Sequence, residues 1–127
     1  MHNLPKSFRH IRLELAREQG HPIGDNAHGY DILAPLLQDG QIDGDLATDH
    51  KESCRVRRFR PGEEDKVGLL LRGPGGRWTF DYDDKISIDD EAGYRFGDER
   101  FVRGEYVSIR EDDDEMHTFQ VMQIREL

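Results

Sequence analysis

SFRHIRLELAREQGHP, residues 7–22, has two readings, and the fold class turns on which one holds. As a helix it takes Ser7 as its cap, places Phe8, Ile11 and Leu15 on one face, and stops at Gly20 and Pro22. As a strand it alternates Ile11, Leu13 and Leu15 with Arg12, Glu14 and Ala16, the period of a half-buried sheet. Intrinsic propensity favours the helix. The neighbour favours the strand: YDILAPL, residues 30–36, is a second apolar run placed to pair back across the intervening loop. We read the segment as a strand, with Ile11 to Leu15 antiparallel to Tyr30 to Leu33.

Downstream, two hairpins are written in the same period. In KVGLLLRGPGGRWTFDYD, residues 66–83, the arms are Val67 to Arg72 and Arg77 to Tyr82. Gly73, Pro74, Gly75 and Gly76 between them supply positive φ angles and a fixed proline. Trp78, Phe80 and Tyr82 alternate with Thr79 and Asp81, so the three aromatics share one face. That face is expected to be core, where aromatics contribute large buried areas. In GEYVSIREDDDEMHTFQVMQI, residues 104–124, Val107 and Ile109 lie opposite Tyr106 and Ser108. Phe119, Val121 and Gln123 share a face in the second arm, and the acidic run EDDDE, residues 111–115, reads as the turn. CRVRRF, residues 54–59, is a further strand, closed by Pro61 and Gly62. Residues 83–103 read as loops with one short strand near Tyr94. Asp45 to Ser53 is the best short helix, with Asp45 as its cap. Strands at this spacing with glycine-rich turns predict a mostly β domain spanning residues 1–127. Its expected form is a small antiparallel barrel or sandwich of about seven strands with one short helix.

Composition narrows the function. The chain has 127 residues, a net charge of -9, and equal apolar and charged fractions of 35%. That charge opposes general binding to double-stranded nucleic acid, where affinity comes from cation density. It also opposes binding to anionic membranes. No apolar run approaches the roughly 20 residues of a membrane span, and MHNLPKSFRH lacks the apolar segment of a secretory leader. One cysteine, Cys54, permits no internal disulfide. These features predict a cytoplasmic protein. Its cations are 14 arginines and 4 lysines against 27 acids, so surface ion-pair networks are expected.

GHPIGDNAHGYD, residues 20–31, carries His21, Asp25 and His28 between glycines. Imidazole and carboxylate suit Zn²⁺ or Fe²⁺, with His50, Cys54 or His117 to complete a site. The spacing fits no defined metal motif, while Gly20, Gly24 and Gly29 suit a chain reversal. We therefore read a strand-to-strand turn without an obligatory metal, in which replacing His21 and His28 changes stability by about 0.5 kcal/mol or less. DGQIDGDLATDH, residues 39–50, partly mimics a calcium loop, but His50 stands where the bidentate glutamate belongs. Arg55, Arg57, Arg58 and Arg60 form a basic strand that is expected to pair with the acids at 81–84 or 89–91. Its other use is to hold a phosphate, a nucleic acid or an acidic partner. Cys54 lies in that strand as a buried thiol. No Gly-x-Ser-x-Gly elbow, P-loop or dinucleotide fingerprint is present.

FVRGEYVSI, residues 101–109, looks like a strand of flavin-dependent reductase barrels, without the Arg-x-Tyr-Ser/Thr motif that accompanies it there. Through HPIG, GYDILAPL, CRVRRF, GEYVSI and HTFQV the chain resembles small bacterial proteins of unknown function. That resemblance implies no activity and assigns no site residue. The leading reading is a non-enzymatic interaction or small-ligand-binding module, with His21, Asp25, His28, Arg55 and Arg57 as candidate binding residues. No cofactor is expected. The alternative is a small metal-binding protein or enzyme built on the histidine loop 20–31. A homodimer is expected, because strands over a lean core leave edges to cover.

Overall fold

In the computed structural model the described residues are 4–18, 22–73, 77–82, 92–93 and 98–127. The segment at 7–22 is indeed extended. Strand β1 (Phe8–Leu15) is followed by β2 (Asp25–Pro35), β3 (Arg55–Phe59), β4 (Lys66–Arg72), β5 (Trp78–Tyr82), the two-residue β6 (Ala92–Gly93), β7 (Tyr106–Arg110) and β8 (Met116–Glu126). Every strand pairs antiparallel with its chain neighbour, and β8 returns to β1, so the sheet closes as a barrel. Ile11 faces Ile32 and Leu13 faces Tyr30, the register expected from their alternation. Tertiary pairing overrides the helical propensity of β1 because both its neighbours bury the Ile11–Leu13–Leu15 row. Closure also satisfies the edges on which the homodimer expectation rested.

Inward rows meet in one core. Tyr30, Ile32, Phe80, Phe119, Val107, Ile109 and Leu70 are all buried, and Trp78 is 2% exposed. Tyr30 packs against Phe80 and Phe119 at ring separations of 5.3 and 5.1 Å, within the favourable range for tilted and edge contacts. With Trp78, Phe80 and Tyr82 all buried, none of the three presents a ring face for stacking a base.

Two sequence expectations need correction. The helix α1 spans Gly44–Asp49 and is capped by Asp43, whose Oδ1 accepts from Leu46 N at 3.2 Å; a 3₁₀ turn follows at Lys51–Ser53. Asp43 wins over Asp45 because it is extended, with φ -75° and ψ 95°, as a cap must be. The face of β8 also changes midway. A register shift opposite Arg12 and Leu13 turns Gln123 outward and lets Ile124 pack against the core, as an inserted bulge residue does. Helix α1 and the 3₁₀ turn lie at the barrel end where β3 begins and β4 ends. Among the described residues no helix is long and apolar enough to cross a membrane. Gly73 and the arms of the first hairpin are described, but Pro74 to Gly76 and Tyr94 lie outside the described residues.

Candidate functional site

At the barrel end opposite α1, the inward rows continue beyond their apolar residues and become polar. In β2 the row reads His28, Tyr30, Ile32. In β3 it reads Val56, Arg58 and then Arg60 just past the strand. In β7 and β8 the rows end in Glu111 and begin with His117. These groups converge on the Glu111 carboxylate, whose side chain is only 3% exposed. His28 Nε2 lies 3.1 and 3.2 Å from its two oxygens, and the Tyr30 hydroxyl donates at 2.5 Å. Arg60 Nη2 sits at 3.1 Å. Burial by itself pushes the Glu111 carboxyl up. The hydrogen bonds from His28 and Tyr30 and the attraction of His28 and Arg60 outweigh it and hold the group down at about 2.

A second ring of pairs surrounds this hub. Arg58, 2% exposed, lies 3.2 Å from Glu63 and 3.5 Å from Asp112, with Tyr82 beneath its guanidinium. Arg60 Nη1 reaches Asp112 at 3.1 Å. Both ring nitrogens of His117 face carboxylates, Nδ1 to Glu18 at 3.1 Å and Nε2 to Asp113 at 2.8 Å. A ring that donates from both nitrogens is an imidazolium. Burial lowers the His117 pKa, but bonds to Asp113 and Glu18 and the charges of Glu111 and Asp113 raise it above its ordinary value. His117 thereby clips the connection after β1 to the β7–β8 turn. This arrangement holds charge in place: Tyr30 is fully buried, so its hydroxyl braces Glu111 instead of meeting a substrate.

The histidine loop is thus divided. His21 and Gly20 lie outside the described residues. Gly24, at φ +78°, makes the turn. From Asp25 onward the segment is already β2, and Asp25 Oδ1 accepts from Ala27 N at 2.9 Å, a local turn bond. Gly29 serves close approach and not reversal: it pairs with Glu14 and Phe59, and a Cβ there would meet Leu13 O at 2.0 Å. His28 is not a surface residue. Its side chain is 16% exposed and stands edge-on to Phe119 at 5.7 Å. The premise of a surface position does not hold for His28, and His28→Ala is now expected to cost about 1–3 kcal/mol by leaving buried Glu111 under-bonded. Melting curves with and without EDTA check both points. The expected result is a lower melting temperature in the variant and no chelator effect on the wild type.

The other sequence candidates separate as well. His50 stands edge-on to Phe8 at 5.9 Å, near the opposite end. Cys54 is fully buried; burial, then the Glu52 charge, pushes its thiol up to about 11, and Sγ contacts Ala47 O at 3.7 Å. A thiol so held is no nucleophile near neutral pH. In the calcium-like loop, Asp39 Oδ1 accepts from Gln41 N and Asp43 Oδ1 from Leu46 N, local turn and cap bonds. Among the described residues, the group close enough to share a cation is Asp113, Glu115 and His117, with ligand atoms within 4.8 Å of one another. It includes neither Asp25 nor His28.

The basic strand is split by its own alternation, Arg58 inward and Arg55 and Arg57 outward. The outward pair belongs to a second constellation. Register places Arg12, Asp31, Arg57 and Val67 on one rung across β1 to β4. Arg125, His10, Leu33 and Arg55 form the next, across β8 to β3. Asp31 points out of the barrel, yet its side chain is only 9% exposed, because its neighbours cover it. Arg57 binds it through Nη2 and through Nε at 3.1 Å; Arg12 Nη1 lies at 3.4 Å and His10 Nε2 at 3.1 Å. Arg125 donates to His10 Nδ1 at 3.0 Å, while Asp31 Oδ1, beside His10 Nε2, is buried with no hydrogen-bond partner among the described residues. Arg12 also stacks on Phe59, 4.0 Å from the ring centre. Among the described residues, the acids that pair with Arg57, Arg58 and Arg60 include Asp31, Glu63, Asp65, Glu111 and Asp112. Residues 83–84 and 89–91 lie outside the described residues. A groove of about 270 Å³ opens on this face, lined by His10, Leu33, Arg55, Arg57 and Val67 among others.

No family model matches the chain, and no curated protein or solved structure matches it either.

Proposed function

We propose that the protein is a non-enzymatic binding barrel whose outer β8–β1–β2–β3 face takes a carboxylate-bearing partner. The observation that carries this reading is the Asp31 hub. In a chain of net charge -9, one buried acid holds two guanidiniums through its Oδ2 and lies beside an imidazole next to a groove. Guanidiniums held in place lose less freedom when they engage a carboxylate fork. Arg55 is exposed on the adjacent rung, and Leu33 and Val67 offer an apolar flank. Among the described residues the inner apolar layer is filled by aromatics, and Glu111 at its polar end is engaged by His28, Tyr30 and Arg60.

A fluorescent hexaglutamate peptide tests the reading by anisotropy at low and physiological salt. Arg55→Gln combined with Arg57→Gln should weaken binding at least tenfold. Arg110→Gln, at an exposed pair with Asp114 on another strand, should leave it unchanged. Equal binding by all three proteins, or none by the wild type, would sink the proposal.

The reading includes a reducing cytoplasm, supported by the single buried thiol, and it needs no resident metal. A homodimer remains part of it on different grounds from sheet edges. Val67, Tyr106, Met116 and Met122 are exposed apolar side chains on the barrel wall, and a two-fold contact would cover some of them. Light scattering at tens of micromolar should return twice the chain mass; the monomer mass would remove the dimer.

A further inference from the structure

The α1 end of the barrel carries a larger groove, of about 470 Å³, between the turn after β2, the segment before β7 and the end of β8. Its walls come from Leu36, Leu37, Phe101, Val102 and Ile124. Backbone bonds fix the two banks: Phe101 N donates to Gly40 O at 2.8 Å, and Gly40 N to Leu37 O at 3.0 Å. Gly40 is needed for this, being at φ +92° with Val102 Cγ2 only 2.7 Å from where a Cβ would stand. Leu37 and Val102 are 46% and 42% exposed, an unusual placement for two apolar side chains side by side on one cavity. Four polar side chains, Ser7, Arg9, Gln38 and Arg103, break the apolar lining. Ser7 Oγ is buried on the wall with no hydrogen-bond partner. Arg103 is exposed at the rim and makes no ion pair with any described residue. Arg9, also on the lining, donates from Nη1 to the carbonyls of Lys6 and Phe8 and pairs through Nη2 with Glu126 at 3.9 Å.

We propose that this groove binds a small apolar carboxylate, its hydrocarbon part against Leu36, Leu37 and Val102 and its head toward Arg103. The volume lies in the range of small-molecule sites, and an apolar lining with a few polar groups is what such sites present. A guanidinium with no ion pair among the described residues matches a single carboxylate by its two-pronged geometry. The net charge of the chain repels an anion at long range. At physiological salt that repulsion fades beyond about 8 Å, so recognition falls to the local arginine. This site shares no residue with the Asp31 face, and either proposal stands or falls without the other.

Decanoate and its neutral counterpart decanol are the probes, titrated below micelle-forming concentrations and followed by calorimetry and by NMR shifts. The wild type should bind decanoate saturably at one per chain, and at least tenfold more tightly than decanol. Val102→Asp should abolish binding of both. Arg103→Gln should reduce decanoate affinity to that of decanol. Both positions are exposed, and unchanged circular dichroism and melting temperature would show the variants folded. Decanol binding as tightly as decanoate, or an Arg103→Gln variant that binds decanoate normally, would overturn the carboxylate assignment. Absence of saturable binding, or binding that Val102→Asp leaves intact, would overturn the site itself. Hexaglutamate binding should be untouched by Val102→Asp, which separates this site from the outer face.

Discussion

Trp78→Ala is expected to destabilise the protein by about 3–5 kcal/mol, the range for emptying a buried large aromatic site. Trp78 begins β5, opposite Arg72, and lies against the α1 end of the core. Its environment includes Ala47 of α1 and Leu70 of β4, which share with it a cleft of only about 60 Å³. Removing the indole enlarges that cleft and loosens the helix that covers this end. The surroundings cannot collapse freely, because β5 is pinned to β4 through five paired residues. Against a total stability of roughly 5–15 kcal/mol, the variant should be marginal. Urea denaturation at pH 7 measures the loss. Acrylamide quenching of the wild type gives an independent check, since a 2% exposed indole should be strongly shielded. A freely quenched indole would show that this end of the core is not packed as described.

Glu111→Ala should cost a comparable amount, about 3–5 kcal/mol, because it removes one partner of a buried ionic group. The substitution takes a shared acceptor from His28 and Tyr30 and a counter-charge from Arg60. Glu111→Gln keeps the volume and one acceptor, so its loss should be smaller. The pH dependence has a definite sign. The folded carboxyl titrates at about 2 against an ordinary 4.5, so its contribution is present above pH 4.5 and lost as pH falls through the folded value. A shift of that size corresponds to about 3 kcal/mol. Denaturation at pH 7 and pH 3 should therefore show a steep acid loss in the wild type and a flatter one in Glu111→Gln. Identical acid dependence in the two proteins would mean that Glu111 is not the hub.

Much of the barrel was legible in the order of residues. Ile11, Leu13 and Leu15, then Trp78, Phe80 and Tyr82, then Val107 and Ile109, each announce which side of a strand faces the core. Period-2 alternation is a local property, so these rows need no knowledge of neighbours. The polar end of the barrel was missed because each row was stopped at its last apolar residue. Counting two further positions from Ile109 reaches Glu111, two back from Phe119 reaches His117, and two back from Tyr30 reaches His28. The alternation carried the signal, but the change from apolar to charged residues hid it. Reading EDDDE as a turn was sound for Asp112 to Glu115, yet its first acid belongs to the core face.

What sequence alone determined is the strand inventory, the burial of the aromatic row and the poverty of metal and catalytic motifs, since all three follow from spacing within short segments. Only the tertiary structure decided that β8 returns to β1, that Glu111 meets His28 from 83 positions away, and that Asp31 lies on one rung with Arg12 and Arg57. Strand order and register depend on which rows bury each other best across the whole closed sheet. A charged residue's role depends in turn on what that register places opposite it. The same arginine type is a buried partner at Arg58 and an exposed fork at Arg55, three positions apart, because one pleat points in and the other out.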